Sequence, residues 1–132
     1  MRKFKEQPLS APGPRPVKDQ PCYIYVLATI GKAGDCSPVK IGIATNPERR
    51  LASIQTACPN PIRIQTFFGP MDRDLARAIE GEVHHISKRR KLHGEWFDHD
   101  PAEAAGLVED VIRALLSEET AAEILGDYSE HP

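Results

Sequence analysis

No stretch of this 132-residue sequence approaches the roughly 20 consecutive apolar residues that a bilayer-spanning helix needs, which argues against an integral membrane protein. Cysteine is scarce as well. Cys22, Cys36 and Cys58 are odd in number, widely spaced and form no CxxC, so the expectation is of free thiols, with neither a disulfide framework nor a standard zinc site. His84, His85, His93 and His99 do not complete such a site, because no Cys or His pair has the usual finger spacing. No internal repeat is visible. The N-terminal "MRKFKEQPLSAPGPRPVKDQP" lacks the apolar core of a secretory signal, and the expected location is the cytoplasm.

What is present is unevenly distributed. Residues 1–21 hold five of the twelve prolines and read as an extended, basic, disordered arm. Residues 1–100 carry a balance of +5, whereas residues 101–132 carry −7, although the chain as a whole stands at −2. A basic body with an acidic end suits a polyanion site on the body. The expected division is an arm over 1–21, a folded domain over 22–98 and an acidic helical extension over 99–132, the last a surface for a protein partner.

Local patterns predict a small α/β (α+β) sandwich in which helices flank a three-stranded, mainly antiparallel sheet. "YIYVLATI" (23–30), "VKIGIA" (39–44) and "IRIQTFFG" (62–69) are rich in branched and aromatic residues and read as strands. "TNPERRLASIQTA" opens with a capping Thr45 or Asn46 and Pro47, and Leu51 and Ile54 give it an apolar stripe. Leu75, Ile79, Val83 and Ile86 recur at helical spacing, which predicts a long helix from Asp72 or Asp74 to about Lys91. "DPAEAAGLVEDVIRALLSEE" reads as one further helix capped by Asp100.

Strand alternation places candidate chemistry on one face. Ile24, Val26, Val39 and Ile41 form the apolar side, leaving Tyr23, Tyr25 and Lys40 above a bare Gly42 that allows a ligand close to the backbone. Arg49 and Arg50 begin the next helix, one of them facing inward as a phosphate contact. Glu80 and His84 lie four apart on one helical face, with Glu80 expected to be solvent-exposed. "SKRRKLH" offers Lys88, Arg89, Arg90 and Lys91 either as a phosphate-neutralising patch or as cations suited to a helix C-terminus. Trp96, the single tryptophan, reads as a core plug ahead of a stacking platform, and Glu95 as structural.

These residues carry a resemblance. "YIY" (23–25), "KIG" (40–42), Arg50 in "ERRL", Glu80 with His84 in "IEGEVHH", and "GEWF" (94–97) resemble, in order, the motifs of the GIY-YIG nucleases. The set is most similar to the phage orf-type DNA-binding, or meiotically up-regulated-gene, branch, where a lysine replaces the tyrosine of the second motif. The resemblance implies hydrolysis of a phosphodiester in nucleic acid, DNA ahead of RNA, with one divalent cation, Mg²⁺ or Mn²⁺. It implies Tyr25 as general base, Lys40 as its activator, Arg50 as the clamp on developing phosphate charge, Glu80 as metal ligand, and His84 as a donor to the leaving group or a holder of water. Tyr23 stands in a glycine position and either packs on neighbours or stacks on a base. The alternative is a nucleic-acid-binding module of the same fold with little or no turnover. Oligomeric state is left open by the sequence.

Overall fold

The computed structural model describes residues 20–31 and 34–126. Most of the expected N-terminal arm therefore lies outside the described residues. The chain runs β1 (Cys22–Gly31), β2 (Gly34–Ala44), α1 (Pro47–Gln55), β3 (Ile62–Met71), α2 (Arg73–Ile86), a 3-10 turn (Lys88–Arg90), β4 (Lys91–His93), β5 (Trp96–Phe97), α3 (Pro101–Leu115) and α4 (Glu118–Leu125). The sheet is antiparallel with five strands in the order β3-β1-β2-β5-β4, which corrects the expectation of three. The two missed strands are three and two residues long, too short to show a period of two.

Alternation along β1 and β2 divides the molecule into two cores. Ile24, Val26, Val39 and Ile41 point to one side, where they pack with Phe68 and Phe97 against Ile79 and Val83 of α2. Val108 and Ile112 of α3 and Ile124 of α4 join the same core. The described part of the acidic segment, residues 99–126, thus buries Ala104, Val108, Ile112, Ala121, Ile124 and Leu125 beneath the sheet. Tyr25, Leu27 and Ile62 point to the other side, covered by Leu51 and Ile54 of α1 together with Trp96. The result is a sheet with three helices on one face and one on the other.

Helix starts follow the sequence closely. Asn46 caps α1, its Oδ1 accepting from Arg49 N at 3.0 Å, and Pro47 takes the first helical position. Asp72 caps α2, accepting from the backbone of Asp74 at 3.0 Å and Leu75 at 3.3 Å. Helix ends do not follow it. α2 stops at Ile86, short of Lys91, because buried Ser87 is pinned by a 2.9 Å bond between its Oγ and His99 Nε2. The chain then turns so that Lys91 can pair with Phe97. The last segment is two helices, not one: Leu116 is extended and Ser117 starts α4 by accepting from Thr120 N at 3.2 Å.

Because α2 carries Glu80, its cap matters to the site. Asp72→Ala removes two capping bonds and is expected to lower the unfolding free energy by about 1 kcal/mol, measured by urea denaturation; an unchanged midpoint would show that tertiary packing alone sets the start of α2.

Candidate functional site

Tyr25 and Gly42 are directly opposed in the β1–β2 ladder, with Leu27 opposite Lys40 in the next row. The Tyr25 ring is fully buried and lies over the glycine. A Cβ at position 42 would fall 2.5 Å from Tyr25 Oη and 2.9 Å from Glu95 Oε1, so only glycine leaves room for the phenol and the carboxylate together. Tyr25 Oη is the one buried side-chain polar atom among the described residues with no hydrogen-bond partner. Leaving such a group unsatisfied costs on the order of 1–3 kcal/mol, so the hydroxyl marks a place built for something other than stability.

Beside it opens a cavity of about 730 Å³, bounded by Arg49, Arg50 and Ser53 of α1, Arg73, Arg77 and Glu80 of α2, and Glu95. α1 contributes Arg49 and Arg50 because its N-terminus follows directly from β2, at the end nearest Gly42. α2 contributes one stripe: Arg73, Arg77 and Glu80 recur at spacings of four and three. Arg73 and Arg77 were missed by sequence reasoning, although their spacing from Glu80 was the signal. Glu95, read from the sequence as structural, also lines this cavity. Gly94, at φ +59°, allows the tight β4–β5 turn, and Ile41 N donates to Glu95 O at 3.2 Å, which holds that turn against β2. The Glu95 side chain is thereby placed in the cavity wall.

The charges are coupled. Lys40 Nζ donates to Glu95 Oε1 at 2.9 Å, so Lys40 is committed to a carboxylate and not to the phenol it was expected to activate. Glu80 is half-buried, not exposed as expected. Its pKa is raised, first by burial and then by the negative charge of Glu95, with His84 and Lys40 pulling the other way. Tyr25 is held above the usual tyrosine value, chiefly by burial, with the charges of Glu95 and Glu80 adding to it. Arg50 opposes that shift: its guanidinium lies close enough to favour the phenolate, yet makes no hydrogen bond of good geometry to the hydroxyl.

Other expected site residues stand elsewhere. His84 Nε2 lies 2.9 Å from the carbonyl oxygen of Ile41, and since a carbonyl only accepts, that nitrogen carries the proton. The His84 ring also packs at 4.9 Å from that of Phe97. Tyr23 meets Phe67 edge to face at 5.5 Å and is not part of the cavity wall, so packing on a neighbour accounts for its ring. Lys88, Arg89, Arg90 and Lys91 are exposed, outside the cavity wall. Arg90 is turned toward the Asp98 carbonyl at 3.4 Å and Glu103 at 3.5 Å.

The raised pKa of Glu80 fixes a sign for stability. A carboxylate whose folded pKa exceeds its unfolded value stabilises the fold at low pH, and that contribution is lost as pH rises through the folded value. At neutral pH, above the usual carboxylate range, the raised pKa therefore makes Glu80 a cost to the fold. Glu80→Gln is expected to melt no lower than wild type at neutral pH, with any advantage vanishing as pH falls below about 4, the ordinary carboxylate range; a marked loss of stability at neutral pH would show that Glu80 is a structural anchor.

No curated protein and no solved structure matches the chain. The T5orf172 domain matches residues 22–115, from the first residue of β1 to the last of α3, and on that match the chain belongs to the T5orf172 domain family.

Proposed function

We propose that this protein is a metal-dependent endonuclease that hydrolyses phosphodiester bonds in nucleic acid, DNA ahead of RNA, in the manner of the GIY-YIG enzymes. One observation carries the reading: a buried, unpartnered phenol stands beside two carboxylates and a set of arginines around a single cavity. The family supports it, being a phage-orf-type domain associated with GIY-YIG and HNH-like nucleases. The order of Tyr25, Lys40, Arg50 and Glu80 along the chain agrees.

The donor set fits a hard cation. Glu80 and Glu95 are close enough for one to raise the pKa of the other, a repulsion that a bound divalent ion would relieve. Mg²⁺ and Mn²⁺ accept one or two carboxylates and fill their remaining positions with water and phosphate oxygens. Among the described residues no group of three His, Cys, Asp or Glu side chains is placed to hold a metal, so the cation proposed here rests on carboxylate, water and phosphate oxygens. Bound at Glu80, with Glu95 alongside, the ion would supply Lewis acidity to the phosphate and positive charge beside the phenol.

The chain's own residues divide the remaining work. Arg49, Arg50, Arg73 and Arg77 attract and orient the phosphodiester, and Arg50 offsets charge that develops on its oxygens. Tyr25 Oη takes the proton of the attacking water as the new P–O bond forms and the bond to the leaving sugar oxygen breaks; that oxygen takes its proton from solvent. Burial and the carboxylates oppose the phenolate that this role requires, and Arg50 favours it. Lys40 holds the Glu95 carboxylate in place. His84 secures α2 to β2 through the Ile41 carbonyl and so fixes the height of Glu80 above the sheet.

The test is cleavage of plasmid, linear duplex, single-stranded DNA and RNA in Mg²⁺, Mn²⁺ or EDTA. The expected result is cutting that requires the metal, disappears in Glu80→Ala and falls roughly 100-fold or more in Arg50→Ala. Cutting that survives EDTA or Glu80→Ala would refute the assignment. Binding without cutting in every condition would favour the non-cleaving module instead.

A further inference from the structure

A second cavity, of about 380 Å³, adjoins the first and takes no part in the chemistry described above. Its wall is mostly apolar and includes Pro38, Ile54, Cys58, Asn60 and Trp96, with Lys40 at one side. The boundary between the cavities is the Lys40–Glu95 ion pair. Lys40 lines the second cavity, Glu95 lines the first, and their charged atoms are 2.9 Å apart. α1 runs along both, contributing Arg50 and Ser53 to the first and Ile54 to the second, with Ala57 just past its end also lining the second.

From this juxtaposition we propose that the second cavity is a nucleobase subsite, taking a base of the strand whose phosphate lies in the arginine-lined cavity. The proposal rests on the nuclease reading and adds to it where the neighbouring nucleotide goes. A polynucleotide alternates a charged phosphate with a flat, largely apolar base, and the protein presents an arginine-rich cavity next to an aromatic, apolar one in the same order. Trp96 is the aromatic surface. It sits opposite Lys40 in the β2–β5 ladder, half-buried against the Tyr25 side of the sheet and partly open to the cavity. Its ring lies 5.8 Å from Lys40 Nζ, so the ammonium already faces an aromatic π system at the cavity edge. The volume lies within the range of about 300–1,000 Å³ usual for small-molecule sites. Stacking on an aromatic side chain tolerates any base, so the subsite grips a nucleotide without reading its sequence.

Trp96 is the chain's single tryptophan, and its fluorescence therefore reports on this cavity alone. The full chain would be titrated in EDTA with an end-labelled single-stranded oligonucleotide, following label anisotropy and tryptophan emission together. Parallel titrations would use thymidine 5′-monophosphate, its abasic counterpart deoxyribose 5-phosphate, and inorganic phosphate. The expected result is quenching by the oligonucleotide and by thymidine monophosphate, but not by deoxyribose phosphate or inorganic phosphate. Trp96→Ala, checked for an unchanged melting temperature, should bind the oligonucleotide about tenfold more weakly, as loss of one stacked base predicts. If Trp96→Ala fails to fold, the wild-type quenching series decides alone. Binding seen by anisotropy without quenching would overturn the subsite and leave the nuclease reading intact. Equal quenching by inorganic phosphate would likewise overturn the subsite, as would no binding at all, while the nuclease reading stands or falls on the cleavage assay in Mg²⁺ or Mn²⁺.

Discussion

The opposition of Tyr25 to Gly42 across β1 and β2 is the constraint on which the site depends. A phenol can be fully buried there only because the residue facing it has no side chain: a single added carbon would stand 2.5 Å from the hydroxyl. The same missing carbon admits the Glu95 carboxylate from the β4–β5 turn, so one glycine makes space for both a phenol and a carboxylate. The register that brings this about is fixed from the other face of the sheet. Ile24, Val26, Val39 and Ile41 are buried against α2 and α3, and a slip of one residue would turn every one of them toward the cavity.

Around that space the electrostatics are deliberately unbalanced. One ion pair, Lys40 with Glu95, stands beside a second carboxylate, Glu80, which has no such close cation and is half-buried. The arginines lie along the wall of the cavity, where Arg49, Arg50 and Arg77 face solvent. Two half-buried neighbouring carboxylates and an unsatisfied hydroxyl both cost stability in the free protein, and both are groups that a cation and a phosphodiester would satisfy. The fold meets that cost with its larger core, where the sheet is covered by α2, α3 and α4.

Much of this is legible in the sequence because it depends on local periodicity. The first three strands, the caps at Asn46, Asp72 and Asp100, and the apolar stripe of α2 all follow from alternation, helical spacing or a side chain bonding its own backbone. Residues whose role depends on distant pairing were harder to place. Glu95 is 55 positions from Lys40, and its place in the wall is set by a two-residue strand that leaves no pattern. The expectation that Lys40 would activate Tyr25 assumed that two residues on one face must be neighbours, whereas the ladder puts Lys40 one row away, opposite Leu27. The break at Leu116 was invisible because the apolar residues on either side keep helical spacing while Ser117 quietly supplies a new cap.

The central claim is that the Tyr25 phenolate takes a proton from the attacking water, and the pH dependence of single-turnover cleavage tests it most directly. With burial and two carboxylates holding the phenol above its ordinary pKa, the wild-type rate should climb close to tenfold per pH unit through the neutral and mildly alkaline range. The residual rate of Tyr25→Phe should be far lower and lack that slope. Equal rates with parallel profiles in the two proteins would contradict the account.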